Sequence, residues 1–112
     1  MASCFGAALA RYRLAPADEY FGHSKMSILE INNRIRDCAF RAGHGVRPGL
    51  LLGDAQRTQD AMVDWGRKYP NDPWLSHYWW RLAKLYASMP SDAAHVREAR
   101  ALAQFHRYDR SK

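Results

Sequence analysis

The sequence predicts an all-α fold, a small bundle of four to five helices in a single domain spanning residues 1–112. Three observations carry that expectation. Apolar positions recur at spacings of three and four, prolines and glycines punctuate them at helix-length intervals, and no stretch of useful length alternates with period two. With 112 residues, 47% hydrophobic and 25% charged, the composition is that of a folded domain and not of a disordered chain.

The elements follow in order. Phe5, Ala8, Leu9 and Tyr12 have the spacing of a short amphipathic helix that Pro16 would end, and "PADEYFG" reads as a linker, so residues 1–23 are expected to be peripheral. In residues 24–42, Ile28, Ile31, Ile35, Cys38 and Ala42 form one stripe, with Gly43 placed as a C-terminal cap. "GHGVRPG" reads as a loop. A third helix is expected from residue 51 or 54 to 69, with Ala55, Thr58, Met62, Trp65 and Tyr69 inside an arc of about 80°. Asp64 and Lys68 form an expected surface ion pair on its other side.

"YPNDPW" stops that helix at Pro70 and offers Asp72 as a cap for the next, over residues 73–88. After Pro90, Ser91 or Asp92 caps a last helix that continues to about residue 107.

Two helices carry more than one face. Opposite the stripe of helix 24–42 lies a second apolar set, Met26, Leu29 and Phe40, which marks either a sandwiched helix or a candidate homodimer face. In "SHYWWRLAKLY" the helical projection puts Tyr78 and Trp79 on one broad buried face and Trp80 roughly opposite its centre. Trp80 shares that far side with His77, Arg81 and Lys84, an aromatic among cationic neighbours and so a candidate partner-binding patch.

Trp79, Leu82, Ala83 and Tyr86 are spaced as W-x-x-L-A-x-x-Y, and "WGRKYPND" precedes them. This pattern resembles the first helix of a tetratricopeptide repeat, over about residues 61–105. The small residue expected in the second helix falls on His95, one position past Ala94, and residues 1–50 carry no repeat signal. The resemblance implies antiparallel helical hairpins and a scaffold that binds protein segments.

No residue pattern amounts to a catalytic or cofactor signature, and no enzyme or cofactor is expected. His95 and His106 share one helix edge about 16 Å apart, too far to hold one ion, so no metal is expected. Cys38 and His44 could form a nucleophile and base, but Cys38 lies in an apolar stripe that keeps a thiol inert. Asp60 and Asp64 are bordered by Arg57 and Lys68 and read as an ion-paired surface. "GHGVRPGLLLGD" has no GK[ST] and follows a helix, which argues against a phosphate loop.

The net charge is +6, divided evenly about Asp54. On the last helix Arg97, Arg100, Gln104 and Arg107 fall within a strip of about 80°, a candidate site for nucleic acid or another anion. Two unrelated cysteines, Cys4 and Cys38, make no disulfide framework, so a reducing, cytoplasmic setting is the default. "MASCFGAALARYR" has no basic start; its alternative reading is the remnant of a trimmed export signal. No run reaches the ~20 apolar residues of a membrane span. The sequence therefore predicts a non-enzymatic interaction module for an unidentified protein partner, with nucleic-acid binding as the alternative.

Overall fold

The computed structural model describes residues 13–109. Within them are four helices, α1 (Ile28–Ala42), α2 (Pro48–Lys68), α3 (Leu75–Ala87) and α4 (Asp92–Tyr108). The chain is an all-α bundle. The expected helix at the front, around Phe5 to Tyr12, lies outside the described residues.

Local chemistry sets each boundary. Ser27, not Ser24, starts α1: its hydroxyl accepts from the Glu30 amide at 3.2 Å while the Glu30 carboxylate takes the Ser27 N–H at 3.3 Å, a reciprocal capping box. Gly43 does stand at the C-cap, yet in right-handed conformation; the left-handed turn falls to Gly45, at φ +79°. The glycine-rich loop is shorter than expected because Pro48 opens α2, where a missing N–H is no loss. The expected cap at Asp72 does not form: α3 starts two residues later than expected, and its N-cap is Trp74 with no side-chain cap. Asp72 instead accepts the Trp74 N–H at 3.0 Å in the turn before the helix, whereas the Ser91 hydroxyl accepts the Ala94 N–H at 3.4 Å to begin α4.

The helices run up, down, up and down. The end of α1, the start of α2 and the end of α3 meet around Ala42, Leu51 and Met89. At the other end Ile28, Trp65 and Trp74 come together, and Gly66 of α2 abuts Leu75 and Tyr108. Hence α1 and α3 are parallel neighbours, α2 and α4 run opposite to them, and two antiparallel hairpins stand side by side.

The core is continuous. Ile31, Ile35 and Cys38 of α1 meet Leu51, Ala55, Met62 and Trp65 of α2, while Leu75, Trp79, Leu82 and Tyr86 of α3 complete it. Ala94 and Ala101 let α4 approach α3 closely. Thr58 is buried but satisfied, its hydroxyl donating to the Asp54 carbonyl at 2.9 Å.

Residues 13–26 are not a loose linker. Phe21 is fully buried, stacked 6.3 Å from Trp65 and edge-on to Tyr69 at 6.1 Å. Phe21 and Met26 exchange backbone bonds of 2.8 and 2.9 Å. Gly22, at φ +75°, lies so near α2 that a Cβ there would be 2.7 Å from the Ala61 Cα. Its N–H donates to Asp64 at 2.9 Å, and the Ala15 N–H donates to Asp72 at 2.9 Å. This strap was invisible to periodicity because it has none: the buried Phe21 and three hydrogen bonds, Ala15 to Asp72, Gly22 to Asp64 and the Tyr69 hydroxyl to Glu19, seat it.

Candidate functional site: the groove between α1 and α3

Parallel packing of α1 and α3 leaves a groove of about 400 Å³ between them. Ile35, Arg36 and Ala39 line it from α1, and Trp80, Arg81, Lys84 and Leu85 from α3, with Ser88 at its end. Small Ala39 opens the floor, Ile35 and Leu85 make it apolar, and three cations edge it. No carboxylate is among these lining residues.

Trp80 is the centre of the α3 wall and is 39% exposed. Phe105 of α4 covers one side at 5.3 Å between ring centroids, and the Lys84 ammonium lies 4.3 Å above the indole. Arg81 is held in place: it donates to Asn32 Oδ1 at 2.6 Å and stacks over Tyr78 at 5.1 Å. Its fork is thus positioned from both helices of the groove. His77, expected in the same patch, stands about one turn earlier, edge-on to Trp74 and Tyr78, and does not line the groove. The α1 wall, Arg36 above all, was missed because an exposed arginine acquires meaning only from the helix placed beside it.

The other candidate residues disperse. Met26 is buried, not part of a dimer face: the helix begins at Ile28, so the projection that put Met26 beside Leu29 does not reach it, and the bridge to Phe21 turns it into the core. Leu29 and Phe40 are exposed, and Phe40 stacks on His44 at 4.1 Å. On α4, Arg97 turns inward. It donates to Gln59 at 3.5 Å and, with the Gln56 amide oxygen facing it, to Gln56 at 2.8 and 2.9 Å. Gln59 also accepts the Tyr86 hydroxyl at 2.7 Å, and burial pushes that phenol up to about 12. Arg100 is exposed, and Arg107 stacks over Tyr108 at 5.5 Å beside Arg67.

The most charged cluster lies at the α1–α2 seam and is structural in geometry. Asp54 receives Arg41 at 2.6 Å, Arg57 from its own helix, and Arg34 at 3.8 Å, and Asp37 pairs with Arg41 at 2.9 Å. The Arg41 guanidinium, more than any other group, holds the Asp54 carboxyl below its usual range. Cys38 is buried beneath this cluster, and burial raises its thiol. Among the described residues no group of three or more His, Cys, Asp or Glu is placed to hold a metal ion, and no helix is long and apolar enough to cross a membrane.

Comparison with protein-family models, with curated proteins and with solved structures finds no match for the chain.

Proposed function

We propose that the protein is a non-enzymatic interaction module whose α1–α3 groove takes an acidic segment of a partner protein, seated by an apolar side chain on Trp80. The observation that supports this most directly is the composition of the groove: an apolar floor bordered by Arg36, Arg81 and Lys84 with no opposing carboxylate. A partner carboxylate would meet a guanidinium already held by Asn32, so little side-chain entropy is lost on binding. The half-exposed Trp80 supplies contact area at low conformational cost.

The alternative, nucleic-acid binding along α4, is weakened by the inward turn of Arg97, which leaves Arg100 and Arg107 two turns apart. A single experiment separates the two. Fluorescent Glu-rich peptides bearing one Leu or Phe, and a single-stranded oligonucleotide, are titrated against the protein at low and moderate salt. The groove reading expects peptide binding that Trp80→Ala and Arg36→Glu each weaken about tenfold or more. Oligonucleotide binding with a steep salt slope, insensitive to Trp80→Ala and lost in Arg107→Glu, would establish the other reading instead.

A further inference from the structure

A second recess, sharing no lining residue with the groove, opens where the strap meets the start of α3. It is about 300 Å³ in volume and is lined by Trp65, Trp74, Tyr78, Asp72, Leu14 and Ile28, with Ala15 beside them. Its chemistry is the reverse of the groove's: three aromatic rings, one carboxylate, and no lysine or arginine.

Asp72 is 4% exposed. Its Oδ2 accepts the Ala15 amide at 2.9 Å and the Trp65 indole at 3.0 Å, and its Oδ1 accepts the Trp74 amide at 3.0 Å. All three donors are neutral, and among the described residues no cationic side chain forms an ion pair with Asp72. A buried carboxylate thus lies beside the recess with three neutral donors and no cationic partner among the described residues, and its Oδ1, which accepts one of those bonds, keeps a lone pair to spare. The rings supply the rest. Trp65 and Tyr78 lie 5.5 Å apart and tilted by 56°, while Trp74 is 57% exposed at the mouth. Ring faces carry negative potential and attract cations. Tyr78 already attracts one, the Arg81 guanidinium, which is anchored to Asn32 and stays outside the recess.

We propose that this recess binds an alkylated ammonium group, either a small quaternary amine or a methylated lysine side chain of a partner. An anion would face Asp72 with no counter-charge, and a neutral apolar ligand would gain nothing from the carboxylate. A weakly hydrated ammonium surrounded by methyl groups uses both the rings and the charge. The inference stands apart from the acidic-segment groove, and either can fail without the other.

The test is a titration followed by the tryptophan indole N–H signals in NMR, with choline, free trimethyllysine and the neutral isostere 3,3-dimethylbutan-1-ol as probes. Trp65 and Trp74 should shift with the first two, and Trp79, in the core, should not. The neutral alcohol should bind about tenfold more weakly or worse, and Trp74→Ala should weaken choline binding by about tenfold while leaving the circular dichroism spectrum unchanged. Stronger binding of trimethyllysine than of choline assigns the site to a protein side chain, and the converse assigns it to a small amine. Equal binding of the alcohol, an unaffected Trp74→Ala variant, or no indole shift at saturating probe would each overturn the proposal.

Discussion

The Trp80 ring packs on Phe105 with centroids 5.3 Å apart and planes tilted by 49°, so one indole serves both as a clasp between α3 and α4 and as a wall of the groove. These two roles can be separated. Trp80→Ala should destabilise by about 1–2 kcal/mol, since the ring is only partly covered. In a double-mutant cycle, Trp80→Ala with Phe105→Ala should show coupling of about 0.5–1.5 kcal/mol by denaturant unfolding. A coupling near zero would mean that the clasp contributes nothing to the fold.

Trp79, the adjacent indole, should behave differently. It is 1% exposed, and its indole N–H is buried without an acceptor among the described residues. Trp79→Ala should cost about 3–5 kcal/mol as a core truncation. Trp79→Phe should cost distinctly less, because the lost volume is offset by removing a donor that already lacked a partner. Thermal denaturation of both variants checks the order, and a Phe variant as unstable as the Ala variant would refute it.

Acid should loosen the molecule through Asp64. Arg67 first, and then the Gly22 amide and Lys68, hold its carboxyl at about 2, against 3.8 for an unperturbed aspartate. Because the folded value is the lower one, the unfolded chain binds the proton more readily. This contribution is therefore complete above about pH 4 and disappears as pH falls towards about 2. Arg67 is largely exposed, which limits the contribution to roughly 1 kcal/mol. Asp54, lowered chiefly by Arg41, acts in the same direction. Asp64→Asn should flatten the fall in melting temperature between about pH 4 and pH 2, and an unchanged slope would remove Asp64 from the account.

At Gly22 a methyl group is enough to disturb the fold. Left-handed backbone and the approach to Ala61 combine, so Gly22→Ala should cost about 2 kcal/mol or more. Gly45→Ala, also at positive φ but with open space around it, should cost about 1 kcal/mol. Chemical denaturation of the pair measures the difference, which is the steric share.

What the sequence disclosed depended on whether a feature was local. The stripes of Ile31, Ile35 and Cys38, the Ser91 cap, and the contrast of Trp79 with Trp80 all follow from helical geometry within one segment. The Asp64–Lys68 pair, 3.3 Å long, was readable for the same reason. Features joining distant segments were not. Met26 was projected onto a helix that begins after it, and Arg97 was read as surface because Gln56 and Gln59 lie on another helix. The Asp72 recess needed four segments, Leu14 and Ala15 of the strap, Ile28 at the start of α1, Trp65 of α2, and the stretch from Asp72 to Tyr78 that opens α3, to be brought together.

The strap has a kinetic consequence. Its anchors, Ala15 to Asp72, Glu19 to Tyr69 and Gly22 to Asp64, span 57, 50 and 42 residues, while the two hairpins can close from their turns outward, between Ala42 and Pro48 and between Ala87 and Asp92. Contacts between near neighbours close first, and long loops close late. The two hairpins should therefore assemble before the strap is laid across them, and in the folded protein it should be the part that lifts most often. Each lifting would expose the Gly22 amide to exchange and unseat Phe21 from Trp65, so that the recess beside Asp72 would be dismantled and rebuilt many times within the lifetime of one folded molecule.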